Sequence, residues 1–282
     1  MMEKGYGKMI YTLKQSLFYV LLILIFILYG DAKDTKLKRR KKKLFIIAHR
    51  GASDIAPENT FAAFDKAIQT HADYIELDVQ LNRNGELVVI HDTTLERTTN
   101  AAGPVKNLTN KAQKRIDAGS WFHHSFRNER IPMLKEVLKR YSGKVGMLIE
   151  LKNPSLYPGI ELKLAKELKK HLYKQTKNTP FVVQSFDHQS ILKFHKFLPS
   201  VKTAVLIGFT SPINVQEIQS FSSYANYVNP HFLLIDDELV NMASHFGMGI
   251  FAWTVNHSNI AEKLLEMGID GIVTNRPYLF KK

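Results

Sequence analysis

The sequence contains no cysteine, which excludes disulfides, thiolate metal sites and a cysteine nucleophile. It leaves the compartment open, because exported and cytosolic chains alike can lack this residue. A Gly-rich phosphate loop of the dinucleotide-binding kind is also missing, and no nucleic-acid-binding motif occurs. Acidic side chains are few relative to basic ones, 26 against 39, for a formal net charge of +13. That excess is local. Residues 1–43 hold eleven Lys and Arg against Glu3, Asp31 and Asp34, whereas the other 239 residues carry 28 basic and 23 acidic side chains. The basic balance therefore belongs mainly to the amino-terminal tail and gives the body no electrostatic footprint for nucleic acid.

An uninterrupted apolar run of spanning length is lacking too. Leu17–Tyr29 is thirteen residues long, where a transmembrane helix needs about 20. With Lys4, Lys8 and Lys14 before it and the small-x-small sequence Gly30-Asp31-Ala32 after it, the run resembles a secretory signal. Counted from Met9, with Lys14 and Gln15 placed at the interface, it reaches about 21 residues, enough for a helix. Seven cations follow within Lys36–Lys43. They oppose translocation of the run and suit anionic headgroups. Membrane attachment through an uncleaved helix is the first expectation for 1–43 and cleaved export the second, with the side of the membrane open. A buried helix with a solvated linker fits less well, since the tail shows no amphipathic pattern.

What is present suffices for a full core: 282 residues, 45% hydrophobic and 23% charged. From Leu44 on, short β-rich apolar runs (44–48, 73–79, 86–91, 145–151, 180–185, 201–207, 225–229, 248–254 and 271–274) alternate with helical patterns (59–70, 132–141, 159–175, 187–197, 213–222, 236–246 and 257–267). Alternation of this kind implies βα units and a parallel sheet covered on both faces. The length of 44–282 suits a (β/α)₈ barrel. Nine strands are one too many for it, and Asn84-Gly85 accounts for the surplus as a hairpin turn that makes part of 73–91 a projecting arm. Residues 92–131, rich in polar and aromatic side chains, read as an inserted loop with one short helix overhanging the active face, in the manner of a lid. A doubly wound sheet would alternate similarly. The barrel is favoured because candidate chemistry recurs at the carboxyl ends of separate strands, which is where barrels place it.

Those candidates are two histidines, three carboxylates and two cations. Glu76 and Asp78 are two apart in a strand, so both side chains point to the same side. Two carboxylates facing an apolar interior repel and are poorly solvated, and a divalent cation removes the penalty. Glu150, ending the run Val145–Ile149, is the natural third ligand; an all-oxygen set suits Ca²⁺ or Mg²⁺ and not zinc. His49 and His91 each end a strand candidate near this pair. Imidazole can serve as either the base or the acid that phosphodiester cleavage requires. Arg50 and Lys152 are placed to neutralise the phosphate oxygens, although ordinary salt-bridging, of Arg50 to Glu58 for example, accounts for them as well. Glu58 either orients Arg50 or joins the metal shell. Trp253 can line the pocket or pack in the core. Asn59 and Thr60 read as a helix N-cap or as functional residues. His71, His123, His124, His171, His188, His195, His245 and His257 lack such company.

His49–Thr60 (HRGASDIAPENT), Glu76–Val79 (ELDV), Val88–Thr99 (VVIHDTTLERTT), Ile131–Leu138 (IPMLKEVL), Glu150–Lys152 (ELK) and Thr274–Pro277 (TNRP) together resemble the glycerophosphodiester phosphodiesterase family. Met133 and Tyr278 are small departures, and the tail lies outside the likeness. The resemblance implies a TIM barrel and metal-dependent hydrolysis of glycerophosphodiesters to glycerol 3-phosphate and an alcohol. It implies Glu76, Asp78 and Glu150 as ligands of Ca²⁺ or Mg²⁺, His49 and His91 as the acid–base pair, and Arg50 and Lys152 on the phosphate. The expectation is a membrane-attached enzyme with a small-molecule substrate. The competing readings are a related phospholipase C- or D-type barrel acting on intact lipid and a non-catalytic polyol-phosphate binding protein. The oligomeric state is not legible.

Overall fold

Eight of the nine strands anticipated from the alternating pattern close into a parallel barrel in the computed structural model, which describes residues 44–172, 179–211 and 213–280. The strands are β1 (Phe45–Ala48), β2 (Tyr74–Leu81), β3 (Leu87–Val89), β4 (Gly146–Leu151), β5 (Phe181–Ser185), β6 (Lys202–Ile207), β7 (Tyr227–Pro230), β8 (Gly249–Ala252) and β9 (Gly271–Thr274). Around the barrel the order is β1-β9-β8-β7-β6-β5-β4-β2, and pairing of β1 with β2 closes the ring. The surplus strand is β3, which pairs antiparallel with the end of β2 (Val79 opposite Val89) and forms the expected hairpin arm. It is shorter than the 86–91 candidate, so His91 lies in the loop beyond it.

The helices are α1 (Phe61–Gln69), α2 (Asn110–Gln113), α3 (Leu134–Tyr141), α4 (Ile160–Leu172), α5 (His188–Phe197), α6 (Val215–Ser222), α7 (Asp237–His245) and α8 (Ser258–Met267). Side-chain caps set several of their starts: Thr60 accepts from Ala63 N, Asp187 from Ser190 N and Asp236 from Leu239 N. The anticipated amino-terminal helix and basic linker of 1–43 lie outside the described residues, as does the end of the 159–175 helix. Among the described residues no helix is long and apolar enough to cross a membrane.

Period-two alternation divides the strand residues between two apolar clusters. Ile47, Tyr74, Leu148, Val182, Ala204, Phe251 and Val273 meet inside the barrel. Their neighbours, such as Ile46, Ile75, Met147 and Val183, face outward against the helices. Because Glu76 and Asp78 share the side of Tyr74, and Glu150 that of Leu148, all three carboxylates point inward. Glycine makes room at the amino end of the barrel. A Cβ on Gly146 would lie 2.4 Å from the Tyr74 ring, and one on Gly249 would lie 2.6 Å from the Tyr227 ring. Tyr227 stacks on Phe251 at 4.4 Å, and Phe45 meets Tyr74 edge-on at 5.6 Å, so this end is plugged by aromatics.

The 92–131 insertion differs from a loose lid. Beyond the short α2 it has its own apolar cluster, including Leu95, Val105, Leu108 and Ile131, packed on Val88 and Ile90 of the hairpin arm. It is a braced platform beside the barrel mouth.

Gly146→Ala is expected to overpack the aromatic plug and destabilise the fold by about 1–3 kcal/mol, read as a lower urea midpoint. An unchanged midpoint would show that the Tyr74 ring can move aside.

Candidate active site

The carboxyl ends of β1, β2 and β4 and the loop after β3 converge on one mouth. His49 leaves β1 with its backbone N–H bonded to Thr274 O at 2.8 Å, and its Nδ1 lies 2.6 Å from Asn275 Oδ1. Arg50 then turns into the left-handed region (φ 56), uncommon for a side chain of its size. The turn is held from both sides: Arg50 N donates to Glu76 Oε2 at 2.8 Å, and Arg50 O accepts from Asn59 N at 3.0 Å. Gly51 follows at φ 83, and any Cβ there would collide with Ala63. The run His49-Arg50-Gly51 is thus a tight turn that presents an imidazole and a guanidinium to the site.

Asp78 and Glu150 are direct partners across the β2–β4 ladder. One oxygen from each of Glu76, Asp78 and Glu150 lies within 4.8 Å of the others, and all three side chains are buried. Burial, with repulsion from Asp78 and Glu150, pushes the Glu76 carboxyl well above its ordinary range. Burial and repulsion from Asp78 push Glu150 up to about 7, against the pull of Lys152. Burial acts on Asp78 in the same direction, but Arg50, Lys152, His91 and a hydrogen bond from Asn59 outweigh it and hold this carboxyl below its usual range. Arg50 Nη1 donates to Glu58 at 2.9 Å, while its Nε lies 3.4 Å from Asp78. Lys152 Nζ donates to Glu150 at 2.7 Å. Three carboxylates are thus offset by two cations.

These residues fit a divalent cation. Asp78 Oδ1 is buried and has no hydrogen-bond partner, a condition that costs free energy unless something coordinates the oxygen. A hard divalent cation is the kind of ion that matches a set made only of carboxylate oxygens.

The second histidine comes from the loop after β3 and feels the charges of Asp78, Arg50 and Lys152. His91 Nδ1 lies 2.6 Å from Asp92 Oδ1. Burial lowers the pKa of both imidazoles, that of His49 to about 4 with Arg50 adding to the effect, while the charge of Asp78 acts on both in the opposite sense. The far wall is aromatic. Trp253, just past β8, donates from Nε1 to Asn229 O at 2.8 Å and meets Phe186 and His231 edge-on at 5.4 and 5.2 Å. Lys152 Nζ sits 5.8 Å from the Phe186 ring.

The structure therefore gathers His49, Arg50, Glu58, Glu76, Asp78, His91, Glu150 and Lys152 at one end of the barrel, with Trp253 on its wall. It also corrects and extends the sequence reading. Thr60 is the helix cap, whereas Asn59 (φ 57) turns inward and donates to Asp78 Oδ2 at 2.8 Å. Gln80, not singled out in the sequence, donates from Nε2 to the carbonyls of Ile90, His91 and Asp92 at 2.9, 3.1 and 2.7 Å and fixes the His91 segment. Its period-two step from Asp78 was the available signal. Asn275, Asp92 and Arg97 lie inside recognisable sequence stretches, but nothing in their spacing assigned them a partner. His231, just past β7, joins the wall with no sequence signal beyond following a strand.

The profile of the glycerophosphoryl diester phosphodiesterase family matches residues 49–279. The chain is 44% identical over 238 residues to YhdW of Bacillus subtilis, provisionally named a glycerophosphodiester phosphodiesterase, covering 83% of this chain and 95% of that one. It is 40% identical over 240 residues to a glycerophosphodiester phosphodiesterase of Caldanaerobacter subterraneus, covering 83% and 95%. Among solved structures, a phosphodiesterase of Oleispira antarctica in complex with the product sn-glycerol-3-phosphate superposes with a TM-score of 0.76 at 27% identity, over 83% of this chain and 94% of that one.

Burial and mutual repulsion favour the protonated forms of Glu76 and Glu150, and a bound cation favours the ionised forms. Ca²⁺ or Mg²⁺ is therefore expected to raise the thermal midpoint of chelator-treated protein, and by more at about pH 8 than at about pH 5.5. Differential scanning fluorimetry reads this directly. A shift equal at both pH values, or one that survives in Asp78→Ala, would count against the carboxylate cluster as the binding site.

Proposed function

The chain belongs to the glycerophosphoryl diester phosphodiesterase family and is a phosphoric diester hydrolase; from that premise we propose that it hydrolyses glycerophosphodiesters to sn-glycerol 3-phosphate and an alcohol, using a divalent cation and two histidines. The observation that carries this reading is the meeting of two imidazoles, two cations and a buried three-carboxylate cluster in a single barrel mouth. A relative of the same fold that holds sn-glycerol-3-phosphate supports the substrate class.

Arg50 and Lys152 receive the non-bridging phosphate oxygens, Arg50 by a fork and Lys152 as a point charge. A cation held by Glu76, Asp78 and Glu150 supplies Lewis-acid polarisation of the phosphoryl group when bound. His49 is neutral at pH 7, because burial and Arg50 depress its pKa. Its Nδ1 faces the side-chain amide oxygen Oδ1 of Asn275, an acceptor that favours the tautomer with the proton on Nδ1 and leaves the Nε2 lone pair to act as base. The proton it takes comes from water or from the glycerol 2-hydroxyl. Burial lowers the His91 pKa, but the Asp92 carboxylate at its Nδ1 and the charge of Asp78 favour the imidazolium, the form that protonates the leaving oxygen. Trp253 closes the pocket with an apolar wall.

The same proposal keeps residues 1–43 as a membrane attachment, supported by the apolar run and the seven cations of Lys36–Lys43. A full-length chain that stays in the soluble fraction after cell breakage would remove it.

Purified protein is expected to release glycerol 3-phosphate from glycerophosphocholine, to lose this activity in chelator, and to regain it with Ca²⁺ or Mg²⁺. His49→Ala and His91→Ala should each lower the rate at least about 100-fold. Near-normal turnover by both variants would overturn the two-histidine mechanism. Hydrolysis of intact lipid in preference to glycerophosphocholine would overturn the substrate class.

A further inference from the structure

Arg97 lies in the insertion, 44% exposed, yet three of its nitrogens donate to two carboxylates. Nε and Nη2 bind the two oxygens of Asp92 at 2.7 and 3.0 Å. Nη1 and Nη2 bind the two oxygens of Glu58 at 2.8 Å each. Each carboxylate also holds a group of the site: Asp92 Oδ1 meets His91 Nδ1 at 2.6 Å, and Glu58 Oε1 accepts from Arg50 Nη1 at 2.9 Å. Glu58 comes from the loop between β1 and α1, and Asp92 from the start of the insertion. A single planar fork thus joins the two loops that carry the phosphate-binding cation and the second histidine.

With Glu58 12% and Asp92 28% exposed, a two-carboxylate network of this kind adds to stability, but stability alone does not require that each carboxylate also hold a group of the site. Without the guanidinium, Asp92 and Glu58 would be two neighbouring anions, free to swing toward other partners. A lysine in this place offers a point charge without the fork and cannot span both carboxylates in their observed positions. We propose that Arg97 is a positioning residue for the hydrolysis: through Asp92 it orients the His91 imidazole, and through Glu58 it orients the Arg50 guanidinium.

The proposal rests on His91 and Arg50 serving the reaction as described above. The test is steady-state kinetics of full-length Arg97→Ala, Arg97→Lys, Asp92→Ala, the double variant Arg97→Ala/Asp92→Ala, and His91→Ala, with thermal midpoints recorded for each. Assayed well below its own recorded midpoint, Arg97→Ala is expected to show kcat for glycerophosphocholine lowered about 10- to 100-fold, the scale of a small misplacement of a reacting group. In kcat the double variant should be no slower than the slower single variant, because both changes reach kcat through one imidazole, whereas the Arg50 effect of Arg97→Ala appears in KM. With a glycerophosphodiester of p-nitrophenol, whose leaving oxygen needs no proton donor, the Arg97→Ala defect should shrink, leaving mainly a raised KM from Arg50. Losses that multiply in the double variant, full rescue by Arg97→Lys, or an equal defect with both leaving groups would each overturn the positioning role. Near-normal turnover by His91→Ala would overturn the underlying assignment of His91 instead.

Discussion

Three carboxylates confined inside a closed barrel are the constraint around which the rest is arranged. Glu76, Asp78 and Glu150 are forced together because their strands are neighbours in register and their side chains share the inward parity. In such surroundings ionised carboxylates are costly unless paired or coordinated. Arg50, Lys152 and Asn59 answer part of that demand, and Asp78 keeps its charge as a result. The demand left over, visible in the raised Glu76 and Glu150 and in the unpartnered Asp78 oxygen, is what suits the cluster to a hard cation.

The barrel separates stability from chemistry along its axis. At the amino end of the strands, glycines at 146, 249 and 271 leave room for Phe45, Tyr74, Tyr227 and Phe251 to fill the interior. At the carboxyl end the inward positions become polar, and the loops that follow supply the histidines and cations. A position two residues further along the same strand therefore moves from apolar packing to buried charge, as Tyr74, Glu76 and Asp78 do in succession. The chain has to be close-packed at one end so that unsatisfied charge can be held rigidly at the other.

Polar braces do the fine placement. Asn275 stands behind His49, Asp92 behind His91, Gln80 under the His91 segment and Arg97 between Asp92 and Glu58. Asp92 is the immediate neighbour of the histidine it holds, whereas Asn275, Gln80 and Arg97 are brought in from other parts of the chain. They come from the last strand end, the insertion and the hairpin arm, so the insertion forms part of the site.

The sequence by itself determined the class of fold and the principal chemistry. Alternating strand and helix periods, one surplus strand with a hairpin turn, and inward-facing carboxylate spacing are local signals, and each survives folding because it depends only on backbone periodicity. Tertiary structure decided what periodicity cannot encode. It shortened the 86–91 candidate and left His91 in a loop, separated Thr60 as a cap from Asn59 as an Asp78 partner, and packed the insertion on its own core. It also chose the braces, since pairs such as His49 with Asn275 and Glu58 with Arg97 are 226 and 39 residues apart. Closure of the ring between β1, β2 and β9 brings such residues into hydrogen-bond range, and no spacing rule along a chain can specify which distant amide or guanidinium will then stand behind which imidazole.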